Sequence, residues 1–479
     1  MGYEDYEIVM GLEVHSELKT NTKIFCDCKN EFGGEPNTHC CPICTGMPGT
    51  LPVLNGKVVE YAIKAGLATN CKINQFSKQD RKNYFYPDLP KAYQVSQFDL
   101  PLCYEGEVEI EVEGEIRKIG ITRIHIEEDA GKLNHEIGGT LVDYNRCGIP
   151  LIEIVSEPDF RSPVEVGIYM EKLRTILLYA DVSDCKMNEG SLRCDVNLSV
   201  RKKGEKTLGT RTEMKNINSF SFAVKAAEYE AKRQIKVLES GGTIIQETRR
   251  WDEAKGITIS MRTKEEAHDY RYFPEPDLMP IITTDEQILN WKASLPVMPD
   301  VRKANYIQNY GLGSKEAAIL VASRKIADFF EAGASCSKNP KAVANWIISE
   351  VYSRLNEDEK EQGTMPIKGE DLGNLVNLIE EGTISGKMAK TVFEKMWQTG
   401  KTPATIVEED GLKQNSDVDA LRTIASDVLN NNEKIVADYL GGKEAAIQSL
   451  MGQMMKATKG KANPKMVIDL LKELLEAMR

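Results

Sequence analysis

The chain has 479 residues, of which 41% are hydrophobic and 28% charged, and its formal net charge is −12. This composition is that of an ordinary globular protein, and the length allows about three domains. The acidic balance argues against global attraction to nucleic acid, although a local basic face can still bind it. The acidic N-terminus lacks a signal-peptide pattern, and no apolar run approaches the roughly 20 residues of a membrane span. We therefore expect a cytoplasmic protein that does not contact a membrane.

The first predicted strand is Tyr6–His15. Alternation along it puts Glu13 and His15 on one face and Leu12 and Val14 on the other. A carboxylate beside an imidazole can form half of a metal site, and a hydrogen-bonded surface pair is the alternative. The pair therefore indicates a metal site only if other strands bring further ligands to it.

Eleven cysteines are present, and in a cytoplasmic chain a tight cluster favours a metal over a disulfide. Two close pairs are separated by twelve residues and consist of Cys26, Cys28, Cys41 and Cys44. Four thiolates at this spacing predict a structural Zn²⁺ site, because four protein ligands leave no open position. Buried free thiols are the alternative, and His39 or Cys40 could replace one ligand.

A predicted β-hairpin ends in three neighbouring acids. Residues 107–113 alternate, the chain turns, and the returning strand ends in Glu127, Glu128 and Asp129. Such acids repel one another unless a cation or water separates them, so a solvated turn is the alternative to a cation site. Glu127 shares its face with His125, whereas Glu128 points the opposite way. We expect the two glutamates to differ in role and take Glu128 as the first to mutate.

Further strands also carry polar residues. One of them, Leu151–Val155, is apolar except for Glu153, and a buried acid needs a partner or a metal; pairing with an arginine is the structural alternative. Residues 191–200 and 211–215 alternate in the same way. The polar residues of these last two strands are Arg193, Asp195, Asn197, Arg211, Glu213 and Lys215.

The second half of the chain has a different pattern. Near Leu295–Asp300 the strand patterns stop, and helical patterns continue from there to the C-terminus. Two basic stretches are candidates for a nucleic-acid face, with a solvated surface as the alternative. The first is residues 201–215, and the second comprises Lys456, Lys459, Lys461 and Lys465.

The polar strands predict a general type of chemistry. Oxygen-rich sites suit Mg²⁺, and neighbouring basic groups suit phosphate, which together are what phosphoryl transfer from ATP requires. The sequence contains neither G-x-x-x-x-G-K-[ST] nor G-x-G-x-x-G. A nucleotide site would therefore be neither a P-loop nor a Rossmann site.

Several motifs resemble the B subunits of bacterial tRNA-dependent amidotransferases. The resemblance is dense up to about residue 295 and continues at 453–457 and 460–464. Its clearest carriers, besides the four cysteines, are the ranges 11–15, 81–94, 125–132, 151–158, 189–197, 215–220 and 269–276. The resemblance implies an α+β chain with a β-sheet-rich, cradle-like catalytic domain at 1–294. An all-α helical domain at 295–405 and a small α-helical, tRNA-binding tail at 406–479 would follow.

The resemblance also implies an activity. The B subunit would use ATP to phosphorylate the side-chain carboxylate of misacylated Glu-tRNA(Gln), Asp-tRNA(Asn) or both. Ammonia would then displace the phosphate. An A subunit would release that ammonia from glutamine, and a small C subunit would complete a heterotrimer. The acyl phosphate hydrolyses readily, so ammonia should arrive by a protected route.

The same resemblance assigns residues to roles. Glu13, His15 and Glu128 would hold Mg²⁺ with Glu153 close by, and Lys82 and Glu128 would lie where the ammonia path enters. Zn²⁺ is expected at the four cysteines. Nucleotide or substrate binding is assigned to Lys132, Arg146, Arg193, Asp195, Asn197 and Lys215. The four lysines between residues 456 and 465 are assigned to tRNA.

Two other functions remain open at the level of sequence. The chain could be a non-catalytic tRNA-binding scaffold of such a complex. It could also be an ATP-dependent ligase acting on a small free acid, although the long helical half would then have no purpose. An ATP-dependent amidation activity that requires the acidic residues would exclude the scaffold. ATP turnover with free glutamate would support the small-acid ligase.

Overall fold

The computed structural model describes residues 3–263, 270–356, 365–412, 418–458, 462 and 464–478. The chain forms two compact units, Met1–Pro299 and Asp300–Arg479. The first combines a large sheet with helices and the second is helical, so the predicted α+β class is confirmed. Within the described residues, no helix has both the length and the apolar character needed to cross a membrane.

The first unit is built around a nine-stranded sheet in the order β14-β13-β12-β11-β1-β10-β7-β6-β2. Neighbouring strands are antiparallel except β12 and β13, which are parallel. The strands found in the described residues are β1 (Tyr6–Glu17), β2 (Lys72–Ile73), β3 (Phe76–Ser77), β4 (Asp80–Asn83), β5 (Tyr93–Ser96), β6 (Cys103–Val112), β7 (Glu115–Glu128), β8 (Lys132–Glu136), β9 (Gly139–Asp143), β10 (Pro150–Ser156), β11 (Leu192–Lys202), β12 (Thr212–Lys215), β13 (Glu247–Asp252), β14 (Ile257–Thr263), β15 (Phe273–Pro274) and β16 (Ile281–Ile282). The central strand β1 therefore lies between strands that come much later in the chain.

The two faces of this sheet differ in polarity. On β1, Met10, Leu12 and Val14 are each 1% exposed and belong to the main hydrophobic core. Three helices complete this core, namely α1 (Gly56–Ala68), α2 (Pro163–Tyr179) and α3 (Phe220–Glu239). Because successive side chains of a strand point to opposite faces, the alternate residues of β1 form the other face, which is polar. The helices thus fix the sheet from one side and leave its polar face available.

Truncation of Ile154 tests how much packing in the core contributes to the stability of the sheet. It lies on β10 with 0% exposure, on the face packed against the helices. Ile154→Ala should lower the free energy of unfolding of this unit by about 2–5 kcal/mol, since truncating a buried isoleucine removes apolar burial and leaves a cavity. Urea denaturation measures the shift. Ile116→Ala on β7, where the isoleucine is 70% exposed, should change it by less than about 0.5 kcal/mol, and equal shifts would contradict the assignment of the core.

The remaining α-helices among the described residues lie in the second half of the chain. They are α4 (Asp285–Ser294), α5 (Pro299–Tyr310), α6 (Ser314–Val321), α7 (Arg324–Cys336), α8 (Pro340–Trp346), α9 (Gly369–Glu380), α10 (Gly386–Thr399), α11 (Pro403–Glu409), α12 (Val418–Asn430), α13 (Glu433–Leu440), α14 (Ala446–Ala457) and α15 (Pro464–Glu476). The second unit contains two separate hydrophobic clusters, one from Tyr306 to Val407 and one from Leu421 to Leu475. The predicted division at 294/295 and 405/406 stays a prediction.

Candidate functional site

The polar face of the sheet gathers side chains from neighbouring strands. On β1 it carries Glu13, His15 and Glu17, spaced two residues apart. The antiparallel register places Glu153 of β10 beside His15, and His125 of β7 beside Glu153. Residues separated by more than a hundred positions in sequence therefore meet at the centre of one sheet.

The first donor set consists of His15, Glu127 and Glu153, each of which offers an atom within 4.8 Å of the others. Nε2 of His15 lies 3.5 Å from Oε1 of Glu127 and 3.4 Å from Oε2 of Glu153. His125 lies beside the set, with its Nε2 3.5 Å from Oε2 of Glu153. Oε2 of Glu127 is buried and has no hydrogen-bond partner among the described residues. An imidazole and two carboxylates, one with an unused oxygen, suit a divalent cation.

The charges within this set are strongly coupled. Burial would lower the pKa of His15, but the hydrogen bond to Glu153 and the charges of Glu153 and Glu127 raise it to about 9. Burial and the nearby cations, Arg123 foremost, outweigh the attraction of Glu153 and lower the pKa of His125 to about 4. Burial raises the pKa of Glu127. The set therefore concentrates negative charge that a bound cation would neutralise.

Lys82 faces the same set. It lies on β4, with its Nζ 5.0 Å from the ring centre of Tyr270 and 5.9 Å from that of Tyr84. Burial alone would lower the pKa of Lys82, but the charge of Glu127, followed by Tyr272 and Glu153, raises it. Lys82 thus remains an ammonium close to the first donor set, so the structure brings together Lys82, His15 and Glu153.

A second donor set lies on the same polar face, where β11 adjoins β1 and β12. Glu13, Asp195 and Glu213 each offer an oxygen within 4.8 Å of the others. Nδ2 of Asn197 donates to Oε1 of Glu13 over 2.9 Å. Nζ of Lys215 lies 2.5 Å from Oδ2 of Asp195 and 3.1 Å from Oε1 of Glu213. Burial and the charge of Glu153 raise the pKa of Glu13, so the two donor sets influence each other electrostatically.

Glu128 does not join either donor set. Its Oε1 accepts a hydrogen bond of 2.8 Å from the backbone N–H of Val95, and its Oε2 accepts one of 2.7 Å from Nζ of Lys91. The predicted Mg²⁺ set of Glu13, His15 and Glu128 is therefore not brought together. The reason is the strand alternation, which puts Glu128 on the opposite side of β7 from Glu127. Glu128 instead lines a cavity of about 120 Å³ together with Lys91 and Cys44.

A group of charges continues the polar face beyond the first donor set. Arg193 donates from Nη2 to Oδ2 of Asp129 over 2.8 Å, and Nε of Arg146 lies 3.3 Å from the same oxygen. Glu17 is near them, and burial together with the charge of Asp129 raises its pKa to about 8. Lys132 is exposed at the start of β8, outside the large sheet, so the structure does not bring it to the donor sets.

The four predicted cysteines form a compact site. Their Sγ atoms all lie within 4.8 Å of one another, and those of Cys41 and Cys44 are 3.9 Å apart. Zn–S bonds of about 2.3 Å in a tetrahedron place sulfurs about 3.8 Å apart, so the arrangement fits Zn²⁺. A hydrogen bond from Cys26 and the charge of buried Lys23, whose Nζ is 3.9 Å from Sγ of Cys44, help lower the pKa of Cys44 to about 5. Cys40 lies outside the set, and its Sγ contacts the backbone oxygen of Asn37.

The basic tail residues are only partly covered by the structure. Lys456 is exposed near the end of α14. Lys465 lies in α15, and Lys459 and Lys461 fall outside the described residues. The assignment of these lysines to tRNA stays a prediction.

Sequence reasoning assigned no role to three residues at these sites, namely Glu127, His125 and Glu213, and it gave Asp195 a role in nucleotide or substrate binding but not in metal binding. The signal for the first two was available, because alternation already paired Glu127 with His125 on one face. Glu213 had a weaker signal. It joins the second set only because β12 is hydrogen-bonded to β11, with Glu213 beside Asn197, and this pairing is not visible in a single sequence.

Comparison with known proteins covers nearly the whole chain. Residues 8–289 match the GatB/GatE catalytic domain, and residues 328–475 match the GatB domain. The B subunit of the aspartyl/glutamyl-tRNA(Asn/Gln) amidotransferase from Caldicellulosiruptor saccharolyticus is 60% identical over 477 residues, covering 98% of this chain and 99% of that protein. The protein of the same name from Thermoanaerobacter pseudethanolicus is 62% identical over 471 residues, covering 98% and 99%. The chain belongs to the GatB/GatE family.

Proposed function

We propose that the chain is the B subunit of a glutamine-hydrolysing, tRNA-dependent amidotransferase. It activates the side-chain carboxylate of Glu-tRNA(Gln), Asp-tRNA(Asn) or both with ATP, and ammonia from an A subunit then forms the amide. The main support is that two donor sets with the geometry to hold a cation share one sheet face in a chain 60% identical to a named B subunit over nearly its full length. A C subunit completes the proposed heterotrimer, and we place the protein in the cytoplasm, where translation occurs.

Each donor set would hold one Mg²⁺. The first is His15, Glu127 and Glu153, and the second is Glu13, Asp195 and Glu213. Bound Mg²⁺ neutralises the charge that builds up when an anionic carboxylate approaches the anionic phosphates of ATP. Carboxylate oxygens dominate both sets, which is the ligand type that Mg²⁺ prefers.

A cavity of about 230 Å³ beside the second donor set is our candidate nucleotide site. Its apolar walls include Val155 and Pro158, and its polar edge includes Glu13, Asn197 and Arg211. Apolar walls suit a base, while a cationic side chain near a metal site suits phosphates. Lys215 stays charged beside this edge, because the charges of Asp195 and Glu213 outweigh burial and raise its pKa.

The side chains of the first donor set would position the reacting carboxylate. Lys82 supplies a fixed positive charge next to Glu127 and Glu153, which favours a carboxylate and a phosphoryl group in the same small space. Arg193 and Arg146 lie farther along this face, where both contact Asp129, and we propose that they bind phosphate groups near the acylated end of the tRNA. Their planar guanidinium groups suit phosphate, while Lys456, Lys459, Lys461 and Lys465 would bind the tRNA elsewhere.

The predicted ammonia entry at Lys82 and Glu128 is revised here, because Glu128 pairs with Lys91 and Lys82 faces Glu127 and Glu153. Ammonia would pass the buried pair of Lys91 and Glu128, which lines the cavity beside the cysteine site. Lys91→Met should raise the ratio of glutamine hydrolysed to amide formed at least about fivefold, since an unpaired buried carboxylate rearranges its surroundings and ammonia escapes. Parallel assays of glutamate release and amidated tRNA measure this ratio. Lys72→Met, which removes an exposed lysine paired with Glu105, should leave it unchanged. An unaltered ratio for Lys91→Met would place the ammonia path elsewhere.

An amidation assay tests the proposed function directly. The chain, assembled with its A and C partners, is given ATP, glutamine and either Glu-tRNA(Gln) or Asp-tRNA(Asn). We expect ATP-dependent formation of Gln-tRNA or Asn-tRNA. ATP turnover with free glutamate and no tRNA would instead support a small-acid ligase, and tRNA binding without amidation of either substrate would support a scaffold.

A further inference from the structure

Glu17 differs from the other acids on the polar face. Each of the others contacts a cation or a hydrogen-bond donor, and these paired acids are Glu13, Glu127, Asp129, Glu153, Asp195 and Glu213. Within the described part of the chain, the carboxyl group of Glu17 has no hydrogen bond and no ion pair. Arg193 and Arg146 act on Glu17 through their charges, but both contact Asp129 and neither forms an ion pair with Glu17. A partly buried carboxyl group without a hydrogen-bond partner is costly, so a ligand with a hydrogen-bonding cation suits this position.

The position of Glu17 relates it to the reacting centre. It follows His15 by two residues on β1 and shares its face, which places its Cα about 6.8 Å farther along the strand. The register sets Glu17 beside Leu151, which in turn lies beside Glu127 of the first donor set. A ligand held by that donor set would therefore reach Glu17 if it extended along β1.

The aminoacyl group of the proposed substrate is an extended ligand with a carboxylate at one end and a positive charge at the other. The role of Glu17 inferred here therefore rests on the proposed function. This group carries the carboxylate to be amidated and an α-ammonium, while its α-carboxyl group is an uncharged ester. In glutamate the two charged groups are four bonds apart, about 5 Å when extended. The carboxylate at the first donor set would leave the ammonium close to Glu17.

We propose that Glu17 binds the α-ammonium of the aminoacyl group and is a specificity-determining residue for the tRNA substrate. Glu17 thereby selects an acylated tRNA whose amino group is free. A tRNA with an acylated amino group, such as peptidyl-tRNA, lacks the cation and leaves Glu17 unpaired, so it is rejected.

The test compares Glu-tRNA(Gln) with N-acetyl-Glu-tRNA(Gln) in the assembled complex. We expect the native complex to show kcat/KM at least about tenfold lower for the acetylated substrate, because a charge-assisted contact is lost. Glu17→Gln should lose about tenfold on the free-amine substrate and show less than about twofold discrimination between the two. Glu17→Asp, which keeps the carboxyl group, should retain part of the discrimination. Glu7→Gln, at the other end of β1 where Glu7 pairs with Arg201, should retain all of it.

The outcomes separate this inference from the proposed function. A native complex that amidates neither misacylated tRNA overturns the proposed function and the role of Glu17 with it. A native complex that amidates Glu-tRNA(Gln) but accepts the acetylated form equally well overturns only the role of Glu17. A Glu17→Gln complex that keeps the native discrimination also overturns the role of Glu17. If Glu17→Gln misfolds, the ratio of kcat/KM for the two substrates is measured in Glu17→Asp instead.

Discussion

Glu153→Gln should lower the rate of ATP-dependent amidation by the assembled complex at least about a hundredfold, or about 2.7 kcal/mol of transition-state stabilisation. The carboxylate of Glu153 lies 3.4 Å from Nε2 of His15 and 3.5 Å from Nε2 of His125. A neutral amide of the same size cannot neutralise a divalent cation, and it is a weaker partner for Nε2 of His15 than a carboxylate. The measurement is kcat for amidated tRNA with ATP, glutamine and Mg²⁺ at saturation.

Two further variants make this result specific. Glu109→Gln removes an exposed acid of β6 that pairs with Lys118, and it should leave kcat within about twofold. Glu128→Gln should act mainly on the coupling of glutamine hydrolysis to amidation, because Glu128 contacts Lys91 and not the donor sets. Binding of tRNA should survive in all three. If Glu153→Gln keeps more than half of the activity, the first donor set is not the cation site, and if it loses tRNA binding the scaffold alternative gains support.

The strands of the central sheet could be predicted because one of their faces is dry. The predicted strand Tyr6–His15 became β1 (Tyr6–Glu17), and the predicted Leu151–Val155 became β10 (Pro150–Ser156). The alternation of apolar and polar residues is a direct consequence of packing one face against helices. The same alternation placed Glu13 and His15 on one face, as the structure does.

The grouping of the acids could not be predicted in the same way. β1 pairs with β10 on one side and β11 on the other, and the order of strands in a sheet is set by packing between distant segments. Alternation separated Glu127 from Glu128, but it did not say which face of β7 would be shared with His15. Only the register of β1, β10 and β7 decides this, and it selects Glu127.

The cysteine site could be predicted from less information than the grouping of the acids. Its ligands lie within a short stretch, so the thiols can meet whatever the rest of the chain does, and the spacing alone carries the prediction. What the spacing left open was whether Cys40 or His39 replaces a ligand. The structure groups the four Sγ atoms of the two pairs and directs Cys40 toward Asn37.

Cys41→Ser should therefore remove most of the bound Zn²⁺ from the purified chain, whereas Cys40→Ser should leave it in place. Serine oxygen is a poor substitute for a thiolate ligand, so loss of one of four ligands should weaken zinc binding at least about tenfold. Metal analysis gives the zinc content. Because a structural zinc site contributes its binding free energy to folding, the midpoint of thermal unfolding should also fall in Cys41→Ser and not in Cys40→Ser.

Cys40→Ser is a matched control for Cys41→Ser, because the two cysteines are adjacent in sequence and differ in their contacts. Both are partly buried, but only Cys41 lies within the set of four sulfurs. A chelator should reproduce the lower unfolding midpoint in the native chain and change Cys41→Ser little, since its zinc is already lost. Zinc retained by Cys41→Ser and lost by Cys40→Ser would make Cys40 the ligand. A native chain without zinc would leave the four cysteines as free thiols held close by packing and by the buried charge of Lys23.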